Sequence, residues 1–412
     1  MFDPATGLLT QKLDAASHGV SYSYTPDGKM WTRTWARGVV ATYGYDAATG
    51  ELLSVDYSND PANTPSLAFT YNRLGQRETV SDAVGTRTFY YRFEDGSLPL
   101  EQMDAQLWQE DIVAGTGGLY SKTLTRKYES SGVPGRGIGF QVGTTADPDA
   151  DYDATYGYDA ATGRLNQVAG PGLPVAGVTY DRVAGSELIW KTNFATGPDT
   201  NIVRTFEAQR DVLLKVENYC SGSLISRYNY DVGDQTHGAD NVGRRTKVVY
   251  GGSAFNYGPS PAPPARTEWG YNDRNELASA HTYTAAGQEM TQRYRTYTND
   301  PIGNWKIAQD MRVGGDAGPY YCTNALNQYV TRDDTQGCPP SAPVVETFAY
   351  DDDGNMTQDK TYNYTWDAEN RLHSVTPRSP VNGSKKLEFV CMITGAGGCR
   401  SRPGRTTGAR GA

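Results

Sequence analysis

The octapeptide YDAATGEL at residues 45–52 recurs almost letter for letter as YDAATGRL at residues 158–165. Two near-identical copies in one chain indicate an internal repeat. A repeat indicates the whole architecture of a chain, so it carries more weight than any other sequence feature. Looser copies share an aromatic anchor, an acid or amide, and a turn residue. The positions assigned to repeat turns are Tyr45, Asp46, Gly50, Tyr71, Gly75, Tyr158, Asp159, Gly163, Tyr271, Asn272, Tyr350, Asp351, Gly354, Trp366 and Asp367.

The letters of the repeat predict a turn. Tyr45 ends a strand, and the carboxylate of Asp46 can accept a hydrogen bond from the backbone N–H two residues later. Gly50 supplies the left-handed conformation that closes a type I turn with a bulge. Asn stands in place of this Gly at positions 275 and 370, and Asn tolerates the same conformation.

The strand after the turn alternates in polarity. Leu53, Val55 and Tyr57 are predicted on one face, with Ser54 and Asp56 on the other. Because the anchors recur about every twenty residues, each unit is predicted to be one hairpin. A single hairpin cannot bury its apolar face, so neighbouring units are expected to pair side by side.

Composition supports an all-β fold. The 412 residues include 29 Tyr against 10 Phe, a bias toward a ring that can be buried while its hydroxyl stays wet. The 46 Gly and 22 Pro favour many short strands joined by turns. We therefore predict an array of antiparallel hairpins that forms part of a curved, hollow shell of repeats.

Charge and hydropathy exclude several classes of function. The net charge of −9 argues against a nucleic-acid surface, which needs clustered Lys and Arg. No apolar stretch approaches the roughly 20 residues of a membrane span. The first residues are already repeat-like, so no signal peptide is expected. Cys322 and Cys338 are expected to pair across a hairpin if they are oxidised.

The domain prediction is one repeat array over residues 1–390. Within it, residues 101–150 are degenerate or loop-rich, and residues 258–265 form a Pro-rich connector. Residues 391–412 change abruptly to a Gly- and Arg-rich composition without acids, which predicts a disordered basic tail. Codons for residues 391–394 can be read in a shifted frame as Tyr-Asp-Tyr, and we hypothesise a frameshift there.

Few residues suggest a catalytic, cofactor or metal site. The four His are scattered without metal-ligand spacing, and no Gly-x-Ser-x-Gly segment occurs, so no enzyme and no cofactor are predicted. Alternating Asp149, Asp151 and Asp153 are the best metal candidate, for Ca²⁺, although Ala154 stands where an EF-hand loop needs Gly. A solvated acidic linker explains the same residues.

The Tyr-Asp-x-x-Gly-x-Leu pattern, together with the WDAENRL segment at residues 366–372, resembles bacterial Rhs and YD-repeat proteins. The resemblance covers about nine tenths of the chain. It implies a β-sheet that spirals into a hollow shell, related in architecture to teneurins and to insecticidal toxin-complex components. Such shells commonly enclose a cargo, and the parent family is secreted or lies at the cell surface.

Two functions follow as expectations. The first is that the chain is an internal fragment of a larger parent and serves as a structural wall segment of the parent's shell. Its partners are then the rest of that shell and an enclosed polypeptide cargo such as a toxin. The alternative is a cell-surface adhesion or carbohydrate-binding module, because exposed aromatic rings beside Asp and Asn suit sugar rings. Nucleic acid and membrane are not expected partners.

Overall fold

A computed structural model describes most of the chain. The described residues are 1–15, 17–83, 85–91, 106–115, 121–129, 132–143, 152–174, 177–194, 200–256, 262–310, 319–333, 338, 346–381, 383–391 and 399–405. Within them the regular structure is almost entirely β, which confirms the predicted fold class. The described residues include 3-10 helices at Ser253–Phe255 and Thr291–Arg293. No helix in these ranges is long and apolar enough to span a membrane.

The strands are short, as the spacing of the turn residues predicts. The first sixteen are β1 (Gln11–Leu13), β2 (Gly19–Tyr24), β3 (Met30–Thr34), β4 (Val40–Tyr45), β5 (Leu52–Ser58), β6 (Leu67–Tyr71), β7 (Arg77–Asp82), β8 (Gly85–Tyr91), β9 (Leu107–Ala114), β10 (Lys122–Tyr128), β11 (Gly137–Val142), β12 (Ala154–Tyr158), β13 (Leu165–Ala169), β14 (Val178–Arg182), β15 (Ile189–Phe194) and β16 (Asn201–Phe206). The others are β17 (Leu213–Cys220), β18 (Ser223–Asn229), β19 (Lys247–Gly251), β20 (Pro264–Tyr271), β21 (Leu277–Thr284), β22 (Arg295–Asn299), β23 (Trp305–Asp310), β24 (Tyr320–Thr323), β25 (Tyr329–Asp333), β26 (Glu346–Thr347), β27 (Ala349–Tyr350), β28 (Met356–Gln358), β29 (Tyr362–Trp366), β30 (Leu372–Pro377), β31 (Lys385–Cys391) and β32 (Cys399–Arg405).

The chain divides into two compact units. Unit 1 comprises Met1–Leu124, Thr323–Arg332 and Ala342–Ala412, and unit 2 comprises Thr125–Cys322 and Asp333–Ser341. In unit 1, each strand from β1 to β9 pairs antiparallel with the next, and β27 to β32 do the same. In unit 2, β11 to β23 form the same kind of meander.

Consecutive turns of a meander alternate between the two ends of its strands. We call the end that carries the turns after Tyr24, Tyr45 and Tyr71 the repeat-turn end, and the other the return end. At the repeat-turn end the strand register shifts by one residue just before the anchor, as it does at Tyr45, Tyr158 and Trp366. Such a β-bulge re-aims the side chain that follows it.

The core of unit 1 lies on one face of the sheet. Its buried side chains are Ala41, Val55, Leu67, Phe69 and Val80, with Tyr43, Leu52, Tyr57, Tyr71 and Phe89 packed around them. The register explains the grouping, since Tyr43 pairs with Val55 and Phe69 with Val80. On the other face hydroxyl groups pair across strands, as between Thr70 and Thr79 at 2.8 Å. One face is therefore apolar and the other polar.

The predicted faces of β5 are wrong at one position. Leu53 is 39% exposed, whereas Leu52 packs on the core with Val55 and Tyr57. The bulge is the cause: Tyr45 pairs with Leu52 and Gly44 with Ser54, so Leu53 is the extra residue. Strict alternation therefore holds only after the bulge.

The segments predicted from composition to be loops, a connector or a tail contain strands where the structure describes them. In the range 101–150 the structure has β9, β10 and β11, and residues 101–105, 116–120, 130–131 and 144–150 lie outside the described residues. Of the connector at 258–265, residues 258–261 lie outside them, and Pro264 begins β20. Where a disordered tail was predicted, β32 pairs along β31 from Lys385 to Cys391, because a strand at the edge of a sheet offers unpaired backbone groups.

Candidate functional site

The exact repeats form six-residue turns built around the aspartate. Asp46 Oδ1 accepts the backbone N–H groups of Ala48 at 2.8 Å and Thr49 at 2.7 Å. Gly50 has φ +77°, in the left-handed region, and its N–H donates to the carbonyl of Asp46. Asp159 and Gly163 repeat the arrangement, with φ +69° at Gly163. The aspartate thus satisfies backbone donors that the turn would otherwise leave to water.

A second group of turns is one residue shorter. The first residue accepts the N–H groups of the residues two and four positions later, and the fourth residue is left-handed. In the turn from Asp351, the partners are Asp353 and Asn355, at 3.1 and 2.9 Å, and Gly354 has φ +85°. The same pattern begins at Asn72, with Gly75 left-handed, at Asn272, with Asn275 left-handed, and at Asp367, with Asn370 left-handed.

The turn bonds of the exact repeats lower the pKa of the aspartates that accept them. The backbone N–H of Thr49 is the main cause that lowers the pKa of Asp46. The hydroxyl of Thr162 does the same for the pKa of Asp159. A hydrogen bond to the ionised form favours that form, which is why the pKa falls.

We expect the array to lose stability in acid. A carboxyl with a lowered folded pKa contributes stability that is complete above its unfolded pKa of about 4 and is lost as the pH falls through the folded value. The pKa of Asp27, beside Lys29, is lowered to about 2. The midpoint of thermal unfolding, followed by circular dichroism, should therefore fall between about pH 4 and about pH 2. A constant midpoint over that interval would contradict the role given to the turn carboxylates.

The aromatic anchors link each hairpin to the preceding one. The hydroxyl of Tyr45 donates to the carbonyl of Met30, the first residue of β3, at 2.9 Å. Corresponding bonds run from Tyr24 to Leu9, Tyr91 to Arg77, Tyr158 to Gly137, Tyr271 to Arg245, and from the indole N–H of Trp366 to Met356. Tyr71 packs its ring against the core, and Tyr350 is half-buried. A phenol that bonds backbone from within a partly buried setting explains the preference for Tyr over Phe.

Replacing Tyr45 by Phe is expected to lower the free energy of unfolding by about 1 kcal/mol, because the carbonyl of Met30 loses its donor while the ring remains. Urea unfolding measures the difference. Tyr152→Phe is the matched control, since Tyr152 is largely exposed and should tolerate the change. Equal effects of the two substitutions would contradict the linking role of the hydroxyl.

In unit 1, residues more than three hundred positions apart form a long-range contact. Arg37, in the return turn between β3 and β4, donates to the carbonyl of Asp367. Its guanidinium also lies 3.4 Å from carboxylate oxygens of both Asp351 and Asp353. The Asp353 side chain is only 2% exposed, and its carboxylate accepts the backbone N–H of Ala36 at 2.7 Å. The contact therefore joins the return end of the first hairpins to the repeat turns of the last.

Glu369 makes the second part of this contact. Its carboxylate lies 2.6 Å from Arg33 and accepts the hydroxyl of Tyr57 at 3.0 Å. Burial, followed by the negative charge of Glu369, raises the pKa of Tyr57. The backbone of Ala368, which is fully buried, bonds the indole N–H of Trp35 and the hydroxyl of Thr64. A cavity of 470 Å³ continues the contact, and its lining includes Leu326 and His18 together with Asp351 and Asp353.

The sequence pattern predicts the turns of this contact but not their partners. Asp351, Gly354 and Asp367 lie in the two turns that take part, and Tyr350 and Trp366 end the strands before those turns. The partner Arg33 lies on β3, and Trp35 and Arg37 lie in the return turn that follows it, which lacks the repeat pattern. The only available signal was Trp35-Ala36-Arg37-Gly38, in which a turn Gly follows a large aromatic and a cation.

The remaining predicted sites lie elsewhere. Tyr45 and Tyr71 in unit 1, and Tyr158 and Tyr271 in unit 2, each end the strand before a separate repeat turn. Of the calcium candidates, Asp149 and Asp151 lie outside the described residues, and Asp153 accepts the backbone N–H of Val142 at 2.8 Å. Within the described part of the chain, no three His, Cys, Asp or Glu side chains are grouped to hold a metal ion. Cys322 and Cys338 form a disulfide, and Cys220 is free and exposed.

No protein-family model matches the chain. Among curated proteins, it is 33% identical over 82 residues to the tRNA nuclease WapA of Bacillus subtilis (strain 168), and equally to the tRNA3(Ser)-specific nuclease WapA of Bacillus spizizenii. The matched segment is 20% of this chain, which spans only 3% of either relative.

Two solved structures share the fold over nearly the whole chain. A crystal structure of TcdB2-TccC3-Cdc42 matches with a TM-score of 0.65 and 16% identity, covering 93% of this chain and 19% of that one. A crystal structure of TcdB2-TccC3 without its hypervariable C-terminal region matches with a TM-score of 0.58 and 14% identity, covering 94% and 20%. This chain therefore has the fold of one segment of each solved chain, and that segment is about one fifth of the solved chain's length.

Proposed function

We propose that the chain is a non-enzymatic wall segment of an Rhs-type shell that encloses or delivers a polypeptide cargo. The long-range contact of unit 1 carries the proposal. Arg37, Ala368 and Glu369 fasten the return end of one stretch of hairpins onto the repeat turns of another, which is how a hairpin array builds a continuous wall. The fold shared with the TcdB2-TccC3 structures supports the same role.

The chemistry of the repeats fits a structural role. Asp46 and Asp159 accept backbone N–H groups of their own turns, and the hydrogen bonds of the turn lower the pKa of both carboxyls. One face of the unit 1 sheet is apolar and packed, and the other carries paired hydroxyls. The disulfide between Cys322 and Cys338 is in accord with the secreted or surface location of the resembled family.

The curated relatives suggest the kind of cargo. Both are named as tRNA nucleases, and the similarity to this chain occupies a small part of each. We take the cargo to be a toxic enzyme of this kind, carried on a polypeptide segment distinct from the repeats. The partners of this chain are then the other wall segments and that enclosed segment.

Protease protection of a native preparation tests the proposal. The chain is purified from its own organism, treated with a broad-specificity protease, and the surviving peptides are identified by mass spectrometry. We expect exposed turns such as that at Leu74 to be cut, while a second, co-purifying polypeptide segment stays intact until the wall is denatured. Digestion of every associated segment at the rate of the turns would contradict enclosure.

A second candidate, carbohydrate binding, is favoured by one exposed tryptophan that stacks on a half-buried tyrosine. Trp305 is 44% exposed and stacks on Tyr297, with ring centroids 5.6 Å apart. Such a flat apolar surface suits the face of a sugar ring. A glycan array tests it: binding that is lost in Trp305→Ala and kept in Trp31→Ala, at another exposed Trp, would support adhesion over the wall role.

A further inference from the structure

Strand β32 has a sequence that is poorly suited to a strand. Cys399–Arg405 contains no β-branched and no aromatic residue, the types that favour strands. It includes Pro403, which has no N–H to donate to a neighbouring strand, and Gly404, which weakens a strand interior. Even so, all seven residues of β32 pair with β31. The pairing therefore needs a source of stability other than strand propensity.

The charges along the two strands do not supply that stability. Lys385 pairs with Arg405 at the open end of the hairpin, and like charges at directly paired positions are destabilising. Glu388 pairs with Arg402, which places one pair of opposite charges in the same ladder. The two pairs act in opposite directions, so charge does not account for pairing along the whole strand.

The closed end of the same hairpin places two cysteines opposite each other. Cys391 is the last residue of β31, Cys399 is the first residue of β32, and the two are directly paired. Directly paired residues of antiparallel strands have Cα atoms about 4.5 or about 5.5 Å apart, depending on the hydrogen-bond pattern. A disulfide needs Cα atoms about 4.4–6.8 Å apart. The backbone register therefore meets the main distance requirement for a disulfide.

A disulfide elsewhere in the chain shows that the fold accommodates oxidised cysteines. Cys322 and Cys338 are joined, and their Cα atoms lie 5.6 Å apart. Disulfides form and persist in oxidising surroundings. Surroundings that keep the Cys322–Cys338 bond also favour oxidation of a second pair of cysteines at a similar Cα separation.

We infer that Cys391 and Cys399 form a second disulfide, which fixes the register of β32 on β31. Two thiols lose two electrons and two protons as the bond forms, and a small-molecule disulfide such as oxidised glutathione takes them up to give two thiols. A two-residue turn would set the register of a hairpin, but residues 392–398 form a longer connection. The disulfide supplies this constraint, because it prevents β32 from slipping along β31. The inference does not depend on the proposed wall function.

A thiol count tests the inference. The full chain is held in a glutathione buffer whose oxidised fraction is raised until peptide mapping shows the Cys322–Cys338 bond fully formed. The chain has five Cys, so two disulfides leave Cys220, which is free and exposed. Mapping without reductant should show one further linked peptide pair, through Cys391 and Cys399. Unlinked Cys391 and Cys399 in chains that carry the first bond, or a link from either of them to Cys220, would overturn the inference.

Hydrogen exchange tests what the bond does for β32. In Cys399→Ser, the backbone amides of β32 should exchange about tenfold faster or more than in the wild type, because only a weak ladder then holds the strand. Cys220→Ser is the matched control, since it removes a cysteine that neither disulfide uses. It should exchange like the wild type. Equal exchange of the β32 amides in both variants would overturn the role of the bond in holding the strand.

Discussion

Replacing Arg37 by alanine is expected to lower the free energy of unfolding by about 3 kcal/mol. The Arg37 side chain is only 13% exposed and faces Asp351 and the nearly buried Asp353. Removing the cation leaves these carboxylates without their charge partner, and the carbonyl of Asp367 loses a donor. Uncompensated buried charge costs more than a lost surface ion pair. Urea unfolding, monitored by tryptophan fluorescence, measures the loss.

The pH dependence of this effect separates charge from packing. Burial raises the pKa of Asp353, opposed by the N–H of Ala36 and by Arg37. A raised folded pKa means that the native state gains stability as the pH falls through it. The deficit of Arg37→Ala should therefore shrink in mild acid, where Asp353 takes up a proton. A deficit independent of pH would point to lost packing alone.

Arg73→Ala is the control for the same substitution at an exposed turn position. It should change the free energy of unfolding by no more than about 0.5 kcal/mol. Arg37→Lys should fall between the two, because a lysine keeps the charge but cannot bond several acceptors with one planar group. If Arg37→Ala is as harmless as Arg73→Ala, the long-range contact does not hold unit 1 together.

The second large effect is expected at Asp367. Its carboxylate is nearly buried, accepts the N–H groups of Glu369 and Arg371 at 2.9 Å each, and lies 2.7 Å from the Arg371 guanidinium. Asp367→Ala leaves these donors without a partner and should lower the free energy of unfolding by about 2–3 kcal/mol. Asp367→Asn keeps the acceptor, as Asn72 does naturally, and should cost about 1 kcal/mol or less.

Asp46 lies in an exposed turn, so its replacement shows how much of the effect at Asp367 depends on burial. Its carboxylate makes the same kind of turn bonds, but the turn is exposed and water can replace them. Asp46→Ala should therefore cost much less than Asp367→Ala, measured by the same unfolding titration. Equal costs would mean that the turn bond alone matters and that the contact built on Ala368 and Glu369 adds nothing.

Local chemistry made much of the fold predictable. Asp46 and Gly50 predict a turn because both act within one hexapeptide: the short carboxylate accepts backbone N–H groups, and the glycine adopts the left-handed conformation. Asn275 and Asn370 could be assigned the role of Gly for the same reason, and both have positive φ. Strand type followed from the periodicity around Val55 and Tyr57. These features depend on neighbours within a few residues.

Other features depend on partners that no local pattern reveals. The bulge before Tyr45 shifts Leu53 out of the core, and only the pairing register shows it. The role of Arg37 arises from turns more than three hundred residues away, so the letters of its own turn do not disclose it. The strand Cys399–Arg405 arises because β31 offers an unpaired edge, despite a composition typical of a tail.

Hydrogen exchange of two backbone amides is the most direct test of the long-range contact of unit 1. The N–H of Ala36 is bonded to Asp353 and the N–H of Ala368 to Thr64, so both should exchange slowly in the wild type. Both should lose protection together in Arg37→Ala, although they are far apart in the chain. Fast exchange at either amide in the wild type, or loss at one without the other, would contradict the account.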